Sequence, residues 1–174
     1  AGTPAHFGIQ ADVLTGTLGK AMGGAIGGYI AGPQPVIDLM RQRARPYLFS
    51  NALPPAVVAA GFAAIDLVEA GDDLRTQLFD NAAYWRAGLS DAGFDLLEGQ
   101  HPIIPVMLYD AQKAQALAAR LFELGVYVSG FFFPVVPKGR ARIRTQMNAA
   151  LTRADLDTAL TAFAQAGRDT GVLK

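Results

Sequence analysis

The group in this sequence best equipped for chemistry is one lysine set among glycines. The stretch Thr15-Gly-Thr-Leu-Gly-Lys20-Ala-Met-Gly-Gly24 places hydroxyls three and five residues before Lys20 and glycines on both sides of it. Residues 16–32 hold Gly16, Gly19, Gly23, Gly24, Gly27, Gly28 and Gly32, a density foreign to helix and strand interiors. A cofactor can approach such a lysine closely, because its neighbours have no bulk. An amine in surroundings of low polarity also loses its proton more readily and can form a Schiff base with an aldehyde. The competing reading is a solvated lysine on a loop, which is what most lysines are. A phosphate-cradling P-loop fails twice, since Leu14 stands where its first glycine belongs and Ala21 follows the lysine in place of Ser or Thr. A Gly-x-Gly-x-x-Gly dinucleotide fingerprint opening a helix is absent as well.

Arg142 and Arg144 stand two apart in an apolar stretch, so on a strand both face one way and Ile143 the other. Either could grip a carboxylate in bidentate fashion, and an exposed edge-strand arginine is an equally good reading. Arg41, Arg43 and Arg45 form a local basic cluster suited to a solvated helix end or a subunit contact. Ser50-Asn51, after Tyr47-Leu48-Phe49, puts small polar groups at the end of what reads as an apolar strand. His6 and His101 are isolated, without a second ligand-type residue at metal spacing, so no metal site is expected.

These groups need elements to hold them. The chain has 174 residues, 51% of them apolar, enough to bury a core and to exclude wholesale disorder. Fifteen basic residues balance fifteen acidic ones, which argues against a nucleic-acid binder. The absence of cysteine removes disulfides, cysteine–zinc sites, iron–sulfur clusters and thiol nucleophiles. No apolar run approaches the ~20 residues of a membrane span, and no signal peptide is visible, so a soluble cytoplasmic protein is expected. Residues 12–15 and 29–31 read as strands around the glycine-rich turn, and Pro33 and Pro35 open a short helix. Leu74, Leu78, Ala82, Trp85 and Leu89 form the apolar stripe of a helix. Strands follow at 103–109, 126–133 and 141–147, with a helix over 111–124 ended by Gly125. A last helix opens on the capping-box pattern Thr152-Arg-Ala-Asp155 and buries Leu156, Leu160 and Phe163. Periodicity alone makes residues 95–174 a compact α/β unit. Residues 6–51 cannot close a core, so they are expected to belong to a domain whose earlier part lies outside this chain.

Four segments together carry a resemblance: 17–24, Arg45-Pro-Tyr-Leu-Phe-Ser-Asn51, Phe131-Phe-Phe-Pro-Val-Val-Pro-Lys-Gly139 and Ala141-Arg-Ile-Arg-Thr-Gln-Met147. They resemble the pyridoxal-phosphate-dependent α-oxoamine synthases of fold type I, and among them the glycine C-acetyltransferases. The resemblance implies the C-terminal half of such an enzyme. Residues 1–54 would be the end of the cofactor-binding large domain, 55–94 connecting helices and 95–174 the small α/β domain. It implies acyl transfer between acetyl-CoA and glycine, as in threonine breakdown, with Lys20 carrying pyridoxal 5'-phosphate covalently. It further implies that Thr17 bonds the cofactor phosphate, that Ser50 and Asn51 reach the cofactor of the other subunit of a homodimer, and that Arg144 holds the substrate carboxylate. No nucleic acid, membrane or metal enters the scheme. The motif for the cofactor's ring nitrogen and phosphate cup is expected upstream of Ala1, and Phe133 and Leu151 depart from the family's tyrosine and frequent histidine. A sister synthase using another acyl-CoA, or a catalytically silent fragment, are the alternatives.

Overall fold

The computed structural model describes residues 2–23 and 26–174, so Gly24 of the glycine-rich motif lies outside the described residues. The chain divides into two compact units at the Asp72/Asp73 junction.

The first unit opens with a single turn, α1 (Thr3–His6), and then forms a hairpin. Strand β1 (Leu14–Thr17) pairs antiparallel with β2 (Gly28–Ala31) in the register Leu14↔Ala31 to Thr17↔Gly28. Pro33 and Pro35 flank the start of α2 (Gln34–Arg43), as proline suits a first helical turn. The run Tyr47-Leu48-Phe49 is not a strand. Arg45–Leu48 closes a short helix, α3, with Pro46 in its first turn, and the Arg45 guanidinium lies 5.3 Å from the Phe49 ring centroid. An arginine and an aromatic four residues apart meet only when the chain is helical, which decides the conformation of this apolar run.

Helix α4 (Pro55–Ala70) is mostly apolar, with Asp66 and Glu69 as its charged residues near the C-terminal end. Only Gly61 of it is buried, while Val58, Phe62, Ile65, Leu67 and Val68 are exposed. Seven further apolar side chains of this unit (Val13, Leu14, Ile26, Tyr29, Ile30, Leu48, Phe49) stand exposed. Leu18 is the one buried large apolar side chain among the described residues of this unit. A helix this apolar belongs inside a larger assembly of elements.

The second unit holds a core of its own. Helix α5 (Asp72–Asp91) presents Ala82, Trp85 and Leu89 to it, while Leu74, expected on the same stripe, lies in the first turn and is exposed. Strands β3 (Ile103–Tyr109), β4 (Gly130–Phe131) and β5 (Ala141–Gln146) form an antiparallel sheet in the order β3-β5-β4. Helices α6 (Ala111–Glu123) and α7 (Arg153–Asp169) bury Leu117, Leu121, Leu156 and Phe163. The Phe163 ring meets Trp85 and Phe94 edge-to-face at 5.3 and 5.8 Å between centroids. Gly125, at φ +86, ends α6 in the left-handed conformation.

The strand expected over 126–133 shrinks to two paired residues. At Phe132 the chain turns, its carbonyl accepting the N–H groups of Val135 and Val136, and Pro134 brings no donor to a ladder. The reciprocal cap of α7 is formed as its spacing predicts: Asp155 N–H donates to Thr152 Oγ1 at 3.2 Å, and Thr152 N–H to Asp155 Oδ2 at 2.9 Å. The Thr152 hydroxyl, then its backbone N–H, hold the Asp155 carboxyl below the usual carboxylate range. That contribution is present above the unfolded carboxylate pKa and fades as pH falls through the lower folded value.

Two polar side chains are buried in this unit. Asn81 Nδ2 donates to the carbonyls of Asn148 and Leu151 at 3.2 and 2.8 Å, tying α5 to the segment after β5. Thr145 Oγ1 accepts the Trp85 indole N–H at 2.9 Å and donates to the Ile104 carbonyl at 2.8 Å.

Candidate active site

The hairpin of the first unit explains the glycines around Lys20. A Cβ on Gly28 would sit 2.5 Å from the Gly16 carbonyl oxygen, a backbone atom that cannot step aside. The two strands therefore close tightly only because Gly28 has no side chain. Leu18 N–H donates to the Gly27 carbonyl at 3.0 Å and extends the pairing by one rung, and Gly23, at φ +69, turns the chain back after Lys20. Gly28→Ala is expected to force the strands apart at a cost of about 1–3 kcal/mol, read as a lower thermal midpoint of the full-length protein.

This turn leaves Lys20 exposed, and no described residue pairs with its Nζ. Thr17 ends β1 three residues earlier, and its Oγ1 accepts the Gly19 N–H at 3.3 Å. With that lone pair engaged, the hydroxyl proton is left to donate, and an anion is the natural acceptor. Ser50 and Asn51 follow α3 and are both exposed. The donor set of the hairpin, one primary amine and a neighbouring hydroxyl proton, fits a group that carries an aldehyde and a phosphate.

The second unit separates the two arginines that the sequence left open. Both lie on the outward face of β5, where Ala141, Ile143 and Thr145 point into the core. Arg142 is committed, its Nε donating to the Arg140 carbonyl at 2.9 Å. Arg144 has no hydrogen bond or ion pair among the described residues, and its guanidinium lies 4.5 Å from the Phe131 ring centroid. A flat cation parked on an aromatic face keeps its donors free for a carboxylate. Arg144 also lines a cavity of about 500 Å³, together with Tyr127, Phe131 and Gln146.

The remaining candidates have local roles. His101 Nδ1 accepts the Ile103 N–H at 3.0 Å, and the His6 ring packs on Phe7. Lys138 lies over Phe133, 5.1 Å from its ring centroid. Sequence reading missed Phe131 as the shelf under Arg144 and Thr145 as a buried hydrogen-bonded group. For Thr145 a signal existed, a hydroxyl at an inward position of an otherwise apolar strand face.

A family model described as aminotransferase class I and II matches residues 4–163. The chain is 54% identical over 164 residues to the 2-amino-3-ketobutyrate coenzyme A ligase of Escherichia coli K12, covering 94% of this chain and 41% of that protein. It is 44% identical over 174 residues to an 8-amino-7-oxononanoate synthase of Symbiobacterium thermophilum, covering 99% of this chain and 44% of that protein. The high-resolution structure of SPT, a serine palmitoyltransferase, with a PLP internal aldimine matches with a TM-score of 0.89 and 34% identity, over 93% of this chain and 41% of that one. The chain thus spans about two fifths of the length of the relatives it matches. Among the described residues, no helix is long and apolar enough to cross a membrane.

Proposed function

Because this chain belongs to the aminotransferase class I and II family, we propose that it is the C-terminal part of a pyridoxal-phosphate-dependent acyltransferase interconverting glycine plus acetyl-CoA and 2-amino-3-oxobutanoate plus CoA. The observation that carries this reading is the Lys20 hairpin, with an amine and, three residues before it, a hydroxyl proton that no described residue pairs. Residues 1–54 then belong to the cofactor-binding large domain, 55–94 connect, and 95–174 form the small domain.

Pyridoxal phosphate, when bound, supplies the electron sink that lets a glycine Cα–H ionise near neutral pH. Lys20 attaches the cofactor and, once its amine is free, takes the proton from the glycine Cα. Thr17 donates its hydroxyl proton to a phosphate oxygen. Arg144 binds the glycine carboxylate with its planar fork and so sets the direction of the Cα–H bond. Acyl transfer forms a bond between the glycine Cα and the acetyl carbonyl carbon while CoA sulfur leaves. Ser50 and Asn51, exposed beside the strongly exposed Phe49, extend to the other subunit of a homodimer and reach its cofactor phosphate. A cytoplasmic setting and the cleavage direction, in threonine breakdown, belong to the same proposal.

The sister reading, an α-oxoamine synthase with a longer acyl donor, is favoured by the 44% identity to the 8-amino-7-oxononanoate synthase. The test is a panel of acyl-CoA thioesters of increasing chain length, offered to the full-length enzyme with glycine or alanine. Acetyl-CoA with glycine is expected to give the highest kcat/KM. A preference for a long thioester with alanine would overturn the assignment in favour of the sister enzyme. No turnover with any pair, by full-length protein that holds the cofactor, would leave the silent reading.

A further inference from the structure

The hydrogen-bonded hydroxyl behind Arg144 has no part in the proposed reaction, yet its surroundings give it a specific task. Strand β5 is supported unevenly. Up to Ile143 it has a neighbour on each side, because β4 pairs at Gly130↔Ile143 and Phe131↔Arg142. Beyond Ile143 no described strand pairs with that edge, and the cavity lined by Tyr127, Ser129 and Gln146 opens there. On the other edge Pro105 stands opposite Arg144 in β3 and turns its carbonyl away from β5, to the Leu97 N–H at 3.1 Å, so the pair at Arg144 adds no rung to the β3–β5 ladder.

The next residue is fastened from two directions. Thr145 stands opposite Ile104, and its hydroxyl donates to the Ile104 carbonyl at 2.8 Å. The same oxygen accepts the Trp85 indole N–H from α5 at 2.9 Å. Both partners are fully or almost fully buried, so solvent does not compete for either bond. Asn81, one helical turn before Trp85, holds the segment after β5 through the Asn148 and Leu151 carbonyls.

We propose that Thr145 is a positioning residue for Arg144. Its hydroxyl, clamped by Trp85 and Ile104, fixes β5 where the pairing with β4 has ended, and it holds the Arg144 guanidinium over Phe131 in the carboxylate-binding pose. This rests on the reading of Arg144 as the carboxylate ligand of the whole enzyme. The isosteric Thr145→Val removes the hydroxyl at nearly constant volume, whereas Thr145→Ser keeps it.

The experiment is a double-mutant cycle in the full-length holoenzyme, reading KM for glycine separately from kcat and from cofactor occupancy. Thr145→Val is expected to raise the glycine KM about tenfold, since small misplacements of a binding group are costly. Cofactor occupancy and the KM for acetyl-CoA should stay unchanged, and Thr145→Ser should restore most of the glycine affinity. In an Arg144→Ala background, Thr145→Val should add no further rise, because neighbours that act through one group are not additive. Trp85→Phe, which removes one of the two hydroxyl bonds and keeps an aromatic side chain, takes the place of Thr145→Val if that variant does not fold. An unchanged glycine KM in both hydroxyl-bond variants, or an equal further rise in the Arg144→Ala background, overturns the positioning role. If Arg144→Ala itself leaves the glycine KM unchanged, the carboxylate reading fails first and the positioning role falls with it.

Discussion

Lys20→Ala in the full-length enzyme is expected to abolish turnover of glycine and acetyl-CoA. One amine is assigned both the attachment of the cofactor and the proton transfer at the glycine Cα. Loss of a positioned base alone typically costs about 10²–10⁴-fold, and loss of the attachment point adds to it. Folding should survive, because Lys20 is exposed and no described residue depends on its side chain. Borohydride reduction of the wild-type holoenzyme followed by peptide mapping should place the pyridoxyl group on Lys20. Labelling of Lys113, in the first turn of α6, or of Lys138, which lies over Phe133, would sink the assignment.

The second large effect is expected at Arg144. Arg144→Ala should raise the glycine KM with the cofactor still bound, since the arginine is assigned to the carboxylate and not to the phosphate. Removing a charged hydrogen-bonding partner costs about 1.5–3 kcal/mol. That corresponds to a rise of roughly 10- to 150-fold. Arg142→Ala is the control, because its Nε is tied to the Arg140 carbonyl. If the Arg142 variant loses more glycine affinity than the Arg144 variant, the choice between them is wrong.

The parts of the structure that could be read from the sequence are those whose information is local. Helices α6 and α7 and most of α5 bury one face against a core within the same unit, so their apolar stripes are regular. Leu74 broke its stripe because the first turn of α5 has no core beneath it. The hairpin was readable because glycines at 16, 27 and 28 leave few other conformations. Tyr47-Leu48-Phe49 misled because three apolar residues in a row suit a strand and a helical turn equally. Only the Arg45–Phe49 contact and Pro46 decide between them. The short β4 was hidden for a similar reason, since its end depends on where the chain folds back at Phe132. At the site, alternation put Arg142 and Arg144 on one face but could not tell them apart. What distinguishes them is a carbonyl two residues back for one and a cross-strand ring for the other, and such pairings exist only after the sheet has formed.

The exposed apolar surface of α4 and the hairpin bears on how stability should be measured. A fold whose large side chains remain in water gains free energy from whatever covers them, by mass action. The melting temperature of the first unit is therefore a property of concentration and company, and not of its sequence alone. A thermal scan of this chain at one dilution would report an association equilibrium as much as an unfolding one. Comparisons between variants of Val13, Phe62 or Leu67 are meaningful only at matched protein concentration.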